Sequence, residues 1–249
     1  MPLIISRPGD SAKMSYLKSL FAEVYLKDIL ERKKIKREDI LTSILDLLCS
    51  SIGSLTNPNN IANALNTRQK LSGENTVSNN TVKTYMDHMT DAYLFEECRR
   101  YDIKGKNYFD YPSKYYCEDL GLRNARIGFR QQEMTHIMEN IIYNDLRIRE
   151  CEVDIGIVYG TEKSKAGNNI KVAREIDFIA TRGGKKTYIQ SAFALGTEEK
   201  KETENKPFSL TGDSFPKIIV RHDIRKRWYD DNGILNVGII DFLLDDTIV

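Results

Sequence analysis

Two carboxylates two residues apart, Glu175 and Asp177, precede a Gly183-Gly184 pair, and Gln190 follows it. The β-rich runs on either side suit a two-residue hairpin, whose turn needs φ > 0 at both central positions. Centred there, the turn sets Asp177 opposite Gln190 and Glu175 opposite Ala192. Side chains repeat with period two along a strand, so these four share one face. Ile176, Phe178, Ile189 and Ser191 take the other, mostly apolar face. Paired carboxylates with a polar partner across the ladder suit a hard cation, and Mg²⁺ is usually held by one or two carboxylates plus substrate phosphate. The same residues also fit a solvent-facing acidic pair on a half-buried hairpin.

The elements around this hairpin read as an α/β unit. Residues 131–149 form a helix with Met134, Ile137, Met138, Ile141, Ile142 and Leu146 on its apolar arc. Glu139 sits at the edge of that arc, either a rim residue or a carboxylate reaching toward the hairpin's acidic face. Strand-like runs follow at 152–158, 172–180, 186–193, 217–221 and 234–239, with a polar helical stretch over 197–206. This order predicts a mixed sheet opened by one helix and crossed by another.

The first half is helical. Leu17, Leu20, Phe21, Val24, Tyr25 and Ile29 make an amphipathic stripe that ends in Arg32-Lys33-Lys34. A second helix spans 38–52 and a short third follows Asn57-Pro58; residues 66–76 read as a polar loop. Ser78 to Thr81 cap a fourth helix carrying Val82, Tyr85, Met86, Met89 and Tyr93. Strand-like runs at 94–102 and 107–111 complete the plan of a winged helix, whose last helix can enter a major groove. On that helix Asn79, Asn80, Thr81, Lys83, Thr84 and His88 are polar groups able to meet bases or phosphates, and the wing tip carries Lys104 and Lys106. Asp87 and Asp91 on the same helix oppose phosphate. Winged helices also dock proteins, so DNA and protein contact both stay open. Residues 114–125 read as a strand end turning into a linker, which gives domains at 1–36, 37–122 and 123–249.

Composition sets limits. The 249 residues are 41% hydrophobic and 29% charged, with a formal charge of +1. Nucleic-acid binding would therefore rest on a local patch and not on an overall basic excess. Cys49, Cys98, Cys117 and Cys151 are widely spaced, with no Cys-x-x-Cys pair, which disfavours zinc and suits reduced thiols. No signal h-region or membrane-length apolar run appears, so a cytoplasmic location is expected. No Gly-x-x-x-x-Gly-Lys-(Ser/Thr) occurs; Gly183-Gly184-Lys185-Lys186-Thr187 lacks that spacing and lies inside a hairpin. ATP hydrolysis is not expected.

Several clusters together resemble one known family. Lys27-Asp28-Ile29-Leu30-Glu31-Arg32, Asn80-Thr81-Val82-x-x-Tyr85 and Tyr115-Tyr116-x-x-Asp119-x-Gly121-Leu122-Arg123-Asn124 look like the uncharacterised C-terminal region of prokaryotic AAA-type ATPases. Glu139-Asn140, Glu175-Ile176-Asp177-Phe178 and Tyr188-Ile189-Gln190 continue the likeness over nearly the whole chain. The resemblance implies a winged helix followed by a PD-(D/E)XK restriction-endonuclease-like domain. It places Glu139 at the helix glutamate, Asp177 at the strand acid and Gln190 at the glutamate/glutamine position, with Mg²⁺ or Mn²⁺ as the metal. The lysine position falls on Ala192, a departure, because that lysine would activate water and offset phosphate charge. Gln190, a neutral ligand, would hold Mg²⁺ more weakly than a carboxylate. The family's ATPase module is missing, so residues 1–36 would be the joint to it, their apolar stripe partly uncovered. The resemblance thus implies a DNA-binding module serving an ATPase in cis or trans, without efficient cleavage. A Mg²⁺-dependent endonuclease and a protein-interaction regulator are the alternatives.

Overall fold

The computed structural model describes residues 2–72, 76–130, 133–164 and 167–249. Helix α1 (Gly9–Leu20) runs through a π-helical stretch, Phe21–Leu26, into α2 (Lys27–Arg32). Helix α3 (Glu38–Ser50) buries Ile40, Leu41, Ile44, Leu45 and Leu48 at three- and four-residue spacing. Helix α4 (Pro58–Ser72) opens on proline, tolerated in a first turn that lacks amide partners anyway. It runs longer than the short helix expected, into the polar stretch. The Asn66 side chain accepts from the Val77 amide at 2.6 Å and donates to the Val77 carbonyl at 2.9 Å, tying the returning chain to the helix. The rest of the expected loop, 73–75, lies outside the described residues. Helix α5 (Asn79–Asp91) is capped by Ser78, whose hydroxyl accepts from the Thr81 amide.

The chain then forms strands β1 (Phe95–Cys98), β2 (Arg100–Asp102), β3 (Asn107–Tyr108) and β4 (Lys114–Cys117), and helix α6 (Leu120–Arg126). The stretch expected as a linker is thus β4 and α6. Asp119 caps that helix through the Leu122 amide, Leu122 and Ala125 enter the core, and buried Arg123 donates to the Cys49 carbonyl at 2.7 Å. Helix α6 packs on α1 and α3. Of the first helix's stripe, Leu17, Phe21 and Ile29 are covered at 3, 4 and 1% exposure, whereas Leu20 and Tyr25 are half-buried.

The expected wing divides. β1 pairs with β4 alone, whereas the β2–β3 hairpin joins an eight-stranded sheet of order β3-β2-β5-β6-β7-β8-β10-β9. The other elements of that sheet and its helices are α7 (Met134–Ile148), β5 (Glu152–Lys163), β6 (Asn169–Arg182), β7 (Lys185–Ala192), α8 (Glu198–Ser209), β8 (Lys217–Arg221), β9 (Trp228–Tyr229), β10 (Leu235–Gly238) and α9 (Ile239–Leu244). β2 lies parallel to β5, Tyr101 beside Gly156, and Ile103 enters the sheet's core cluster. Two compact units result, Met1–Glu97 with Ser113–Glu133, and Cys98–Pro112 with Met134–Val249. The division is not one cut near residue 122, because hairpin hydrogen bonding carries 98–112 into the second unit. The chain is mixed α+β, helices first and then a mixed sheet.

Within that sheet β5, β6 and β7 form an antiparallel meander, and α8 returns the chain so that β8 runs parallel to β7 and β10 parallel to β8. Gly183 and Gly184 have φ of 54° and 77°, as the two-residue turn requires. The pairs from Arg182↔Lys185 to Phe178↔Ile189 keep the register that turn sets. Neighbours on β6 face opposite ways: the Phe178 ring lies 6.2 Å from that of Tyr143 on α7, whereas Ile179 clusters with Phe208 of α8. The strands are therefore covered on both faces. Among the described residues no helix is long and apolar enough to cross a membrane.

Candidate functional site: a fork between two strands

Phe178↔Ile189 is the last pair of the β6–β7 ladder. Beyond it the strands part: the earlier half of β6 pairs with β5, and the end of β7 pairs with β8. Asp177 and Gln190 stand in this fork, each 9% exposed. Their side chains replace the missing ladder bonds. The Asp177 amide donates to Gln190 Oε1 at 3.2 Å, and the Ser191 amide donates to Asp177 Oδ2 at 2.8 Å. The solvent-facing reading of the Glu175–Asp177 pair therefore fails at Asp177, because α7 and α8 both pack on the strands that carry it, whereas Glu175 is half-buried. The buried Ser191 hydroxyl has no hydrogen-bond partner among the described residues.

The fork also contains a bulge. Asp154 pairs with Ile179 but Gly156 with Ile176, so Asp177 and Phe178 together oppose Ile155. The period-two alternation breaks there. Ile176 shares a cluster with Ile179 and Tyr188 in place of the face expected with Phe178. A Cβ on Gly156 would meet Ile176 Cβ and Ile179 Cγ1, each at 3.1 Å, which shows how close these side chains lie. Glu175 lies before the bulge and pairs with Ile157 on β5. Glu139 is buried on α7, the helix packed over β5, β6 and β7. Among the described residues no three His, Cys, Asp or Glu side chains converge into a group that could hold a metal ion. Glu139, Glu175 and Asp177 therefore do not form a three-carboxylate site.

A carboxylate not anticipated from sequence takes part instead. Glu204 on α8 is hydrogen-bonded to the Gln190 side chain; burial raises its pKa, and that bond opposes the rise. Nothing local marks it, since α8 is polar up to Lys206 and carries three other glutamates and three lysines beside it. Ala192, where the resemblance would lead one to expect a lysine, is 4% exposed and packs in the apolar cluster. Its partner on β8 is Arg221, also buried, whose guanidinium is held by Asp223.

In the first unit, Asn80, Lys83 and Thr84 are exposed on α5 and Thr81 is half-buried. The Thr81 hydroxyl is hydrogen-bonded to that of Ser78 at 2.9 Å. Asp91 is paired with Lys33 at 2.7 Å, which reduces its repulsion of phosphate. Burial, with the Lys33 charge adding to it, holds the His88 imidazole below its ordinary pKa. Lys104 and Lys106 are exposed at the β2–β3 turn, which belongs to the second unit. The four cysteines are buried and none is in a disulfide among the described residues, and burial pushes the Cys117 thiol pKa up.

Residues 1–133 match the family described as Domain of unknown function (DUF8612). The chain belongs to this family. The match includes α5 and ends before α7, so the fork lies outside it. An "Uncharacterized protein" of Haemophilus influenzae (strain ATCC 51907 / DSM 11121 / KW20 / Rd) is 31% identical over 235 residues, 93% of this chain and 52% of that protein. The chain therefore spans about half the length of that relative. Among solved structures, protein VC1899 from Vibrio cholerae is 12% identical, with 97% of this chain and 56% of that chain covered, and the TM-score is 0.29.

Proposed function

We propose that the chain is a nucleic-acid-binding module whose second unit is a PD-(D/E)XK nuclease-like domain with a weakened hydrolytic centre. It serves a motor of the AAA type, carried in the same longer polypeptide or supplied by a partner. The observation that carries this reading is the fork, where a buried aspartate and a buried glutamine face each other at the place where two strands part. The order α7, β5–β6–β7 meander, α8 and parallel β8 is the order that such a nuclease domain would use. Turnover is impaired because apolar Ala192 supplies no cation for water or phosphate, and Arg221 beside it is tied to Asp223. In the first unit, α5 would present Asn80, Lys83 and Thr84 to the backbone of a duplex.

The test is incubation of the chain and of Asp177→Ala with duplex, single-stranded and four-way-junction DNA, with Mg²⁺ or Mn²⁺, over a salt series. Binding that weakens steeply with salt, without cleavage, is expected from phosphate contacts. Cleavage lost in Asp177→Ala would make the chain an endonuclease. No binding at low salt would leave a protein-docking module.

A further inference from the structure

The parallel register carries β7 and β8 out of the sheet together, with Ala192 beside Arg221. Just beyond, the rings of Phe193 and His222 stack at 4.5 Å with 9° between their planes. Residues 222–227 then cross the carboxyl end of β10. A Cβ on Gly238 would stand 2.5 Å from the Ile224 carbonyl oxygen, so glycine is what admits this segment so close to the strand. Two ion pairs pin it further. Arg221 donates through Nε and Nη2 to the two Asp223 oxygens at 2.9 and 2.7 Å, and Arg227 Nη1 lies 2.6 Å from Asp245 Oδ2. Asp223 and Asp245 are thereby occupied. Arg225 and Lys226 between them are exposed, and neither makes an ion pair among the described residues. Next come Trp228 and Tyr229, 43% and 71% exposed on the short edge strand β9, with the Arg221 guanidinium 5.6 Å from the Trp228 ring centre. Asp230, half-buried and accepting only from the Asn232 and Ile234 amides, and exposed Asp231 follow in the turn and lower the local charge by two.

We propose that this ledge, residues 225–229, binds single-stranded nucleic acid and leads it to the Asp177–Gln190 fork, an inference that rests on the nucleic-acid reading above. Open sheets with parallel strands take ligands outside the carboxyl ends of those strands. The ledge lies at the carboxyl ends of β8 and β10, and the fork opens two residues before the end of β7. Cations beside exposed rings are how proteins hold single strands: charges follow the backbone, and bases stack on the rings. Paired bases present no free face, so the rings select against duplex. A bare aromatic pair would equally suit a protein anchor. Two adjacent exposed cations that make no ion pair among the described residues, on a rigidly held segment, favour a polyanion.

Trp228 is the chain's one tryptophan, so its fluorescence reports on the ledge directly. The full chain is titrated with oligothymidylate and oligouridylate on the order of 20 nucleotides long, and with a duplex of equal length. Saturable quenching by either single strand, but not by duplex, is expected. Tyr229→Ala should weaken binding about tenfold. Arg225→Glu with Lys226→Glu should weaken it at least as much and flatten its salt dependence. All three side chains are exposed, and melting temperatures verify that the variants fold. If labelled strands bind without quenching, or bind the variants as tightly as wild type, the ledge is refuted while the nucleic-acid reading stands. Preference for duplex at the ledge also refutes it. If no nucleic acid binds by either readout, both proposals fall.

Discussion

Gln190→Glu exchanges one nitrogen for one oxygen at the centre of the fork. Gln190 Oε1 accepts from the Asp177 amide, and its side chain is also hydrogen-bonded to Glu204, whose carboxyl burial already pushes up. The exchange removes the donor to Glu204 and sets a second negative charge against it, with the Asp177 carboxylate nearby. A hydrogen bond to a charged group is worth about 1.5–3 kcal/mol, and the new repulsion adds to its loss, reduced by screening because Glu204 is only half-buried. The expected loss at neutral pH is about 2–4 kcal/mol, a fall of roughly 5–15 °C in melting temperature. Its pH dependence has a definite sign. Both carboxyls titrate higher folded than unfolded, so the penalty is absent below the unfolded pKa, grows as pH rises through it, and is complete above the raised folded value. Thermal melts of wild type and variant should nearly coincide at about pH 4 and separate most at about pH 8. Mn²⁺ should restore part of the difference in the variant, because hard cations recruit carboxylates. A constant gap at all pH values, or no gap, would refute this account of the fork.

Other expected outcomes follow from the same structure. Glu204→Gln should flatten the pH dependence of stability, unchanged at about pH 4 and higher by about 1 kcal/mol at about pH 8, in the same melts. Arg149→Met removes buried bonds to Asp145 Oδ2, the Asp245 carbonyl and the Phe242 carbonyl at 2.7, 2.9 and 2.6 Å. It should cost about 3–5 kcal/mol by urea unfolding, since the Asp145 carboxylate, already pushed up in pKa by burial, loses its cation. Gly238→Ala should cost about 1–3 kcal/mol and displace the 222–227 segment, read as changed Trp228 emission. Tyr108→Phe removes a 3.0 Å bond to Asp154 Oδ2 and should cost about 1 kcal/mol or less, the phenol being half-exposed. Faster amide exchange in β2 would register it.

What sequence made legible was local. The Gly183-Gly184 turn fixes a register, and the structure keeps that register through five pairs up to Phe178↔Ile189. Ser78 before a helical pattern predicts a cap, and its hydroxyl meets the Thr81 amide. The apolar spacing of α3 and α7 likewise places their buried faces. What escaped depends on partners distant in sequence. The 100–108 hairpin looks the same whether it pairs with β1 or lies along β5, and Ile155 and Ile157 decide the matter by bonding to Arg99 and Ile103. The bulge at Asp177 carries no glycine to announce it, so the alternation that joined Ile176 to Phe178 reads as unbroken. Gln190 is polar and suggests exposure, yet α8 packs over β7 and covers it. Glu204 sits in a run of charges where no single residue stands out.

The excursion of residues 98–112 has a practical side. The polypeptide passes between its two units three times, at 97/98, 112/113 and 133/134, so neither unit is a contiguous stretch of sequence. Expression of 1–133 alone would strand a hairpin without its sheet. A fragment starting at 134 would expose the β5 edge, a template for pairing with other chains. One protease cut between residues 98 and 112 would leave both halves attached through hydrogen bonds, although the backbone is broken. A fragment intended to preserve the fork should begin at or before residue 98 and accept the intervening 113–133 as cargo. For the same reason, recombination at a single crossover could not exchange one unit while leaving the other intact.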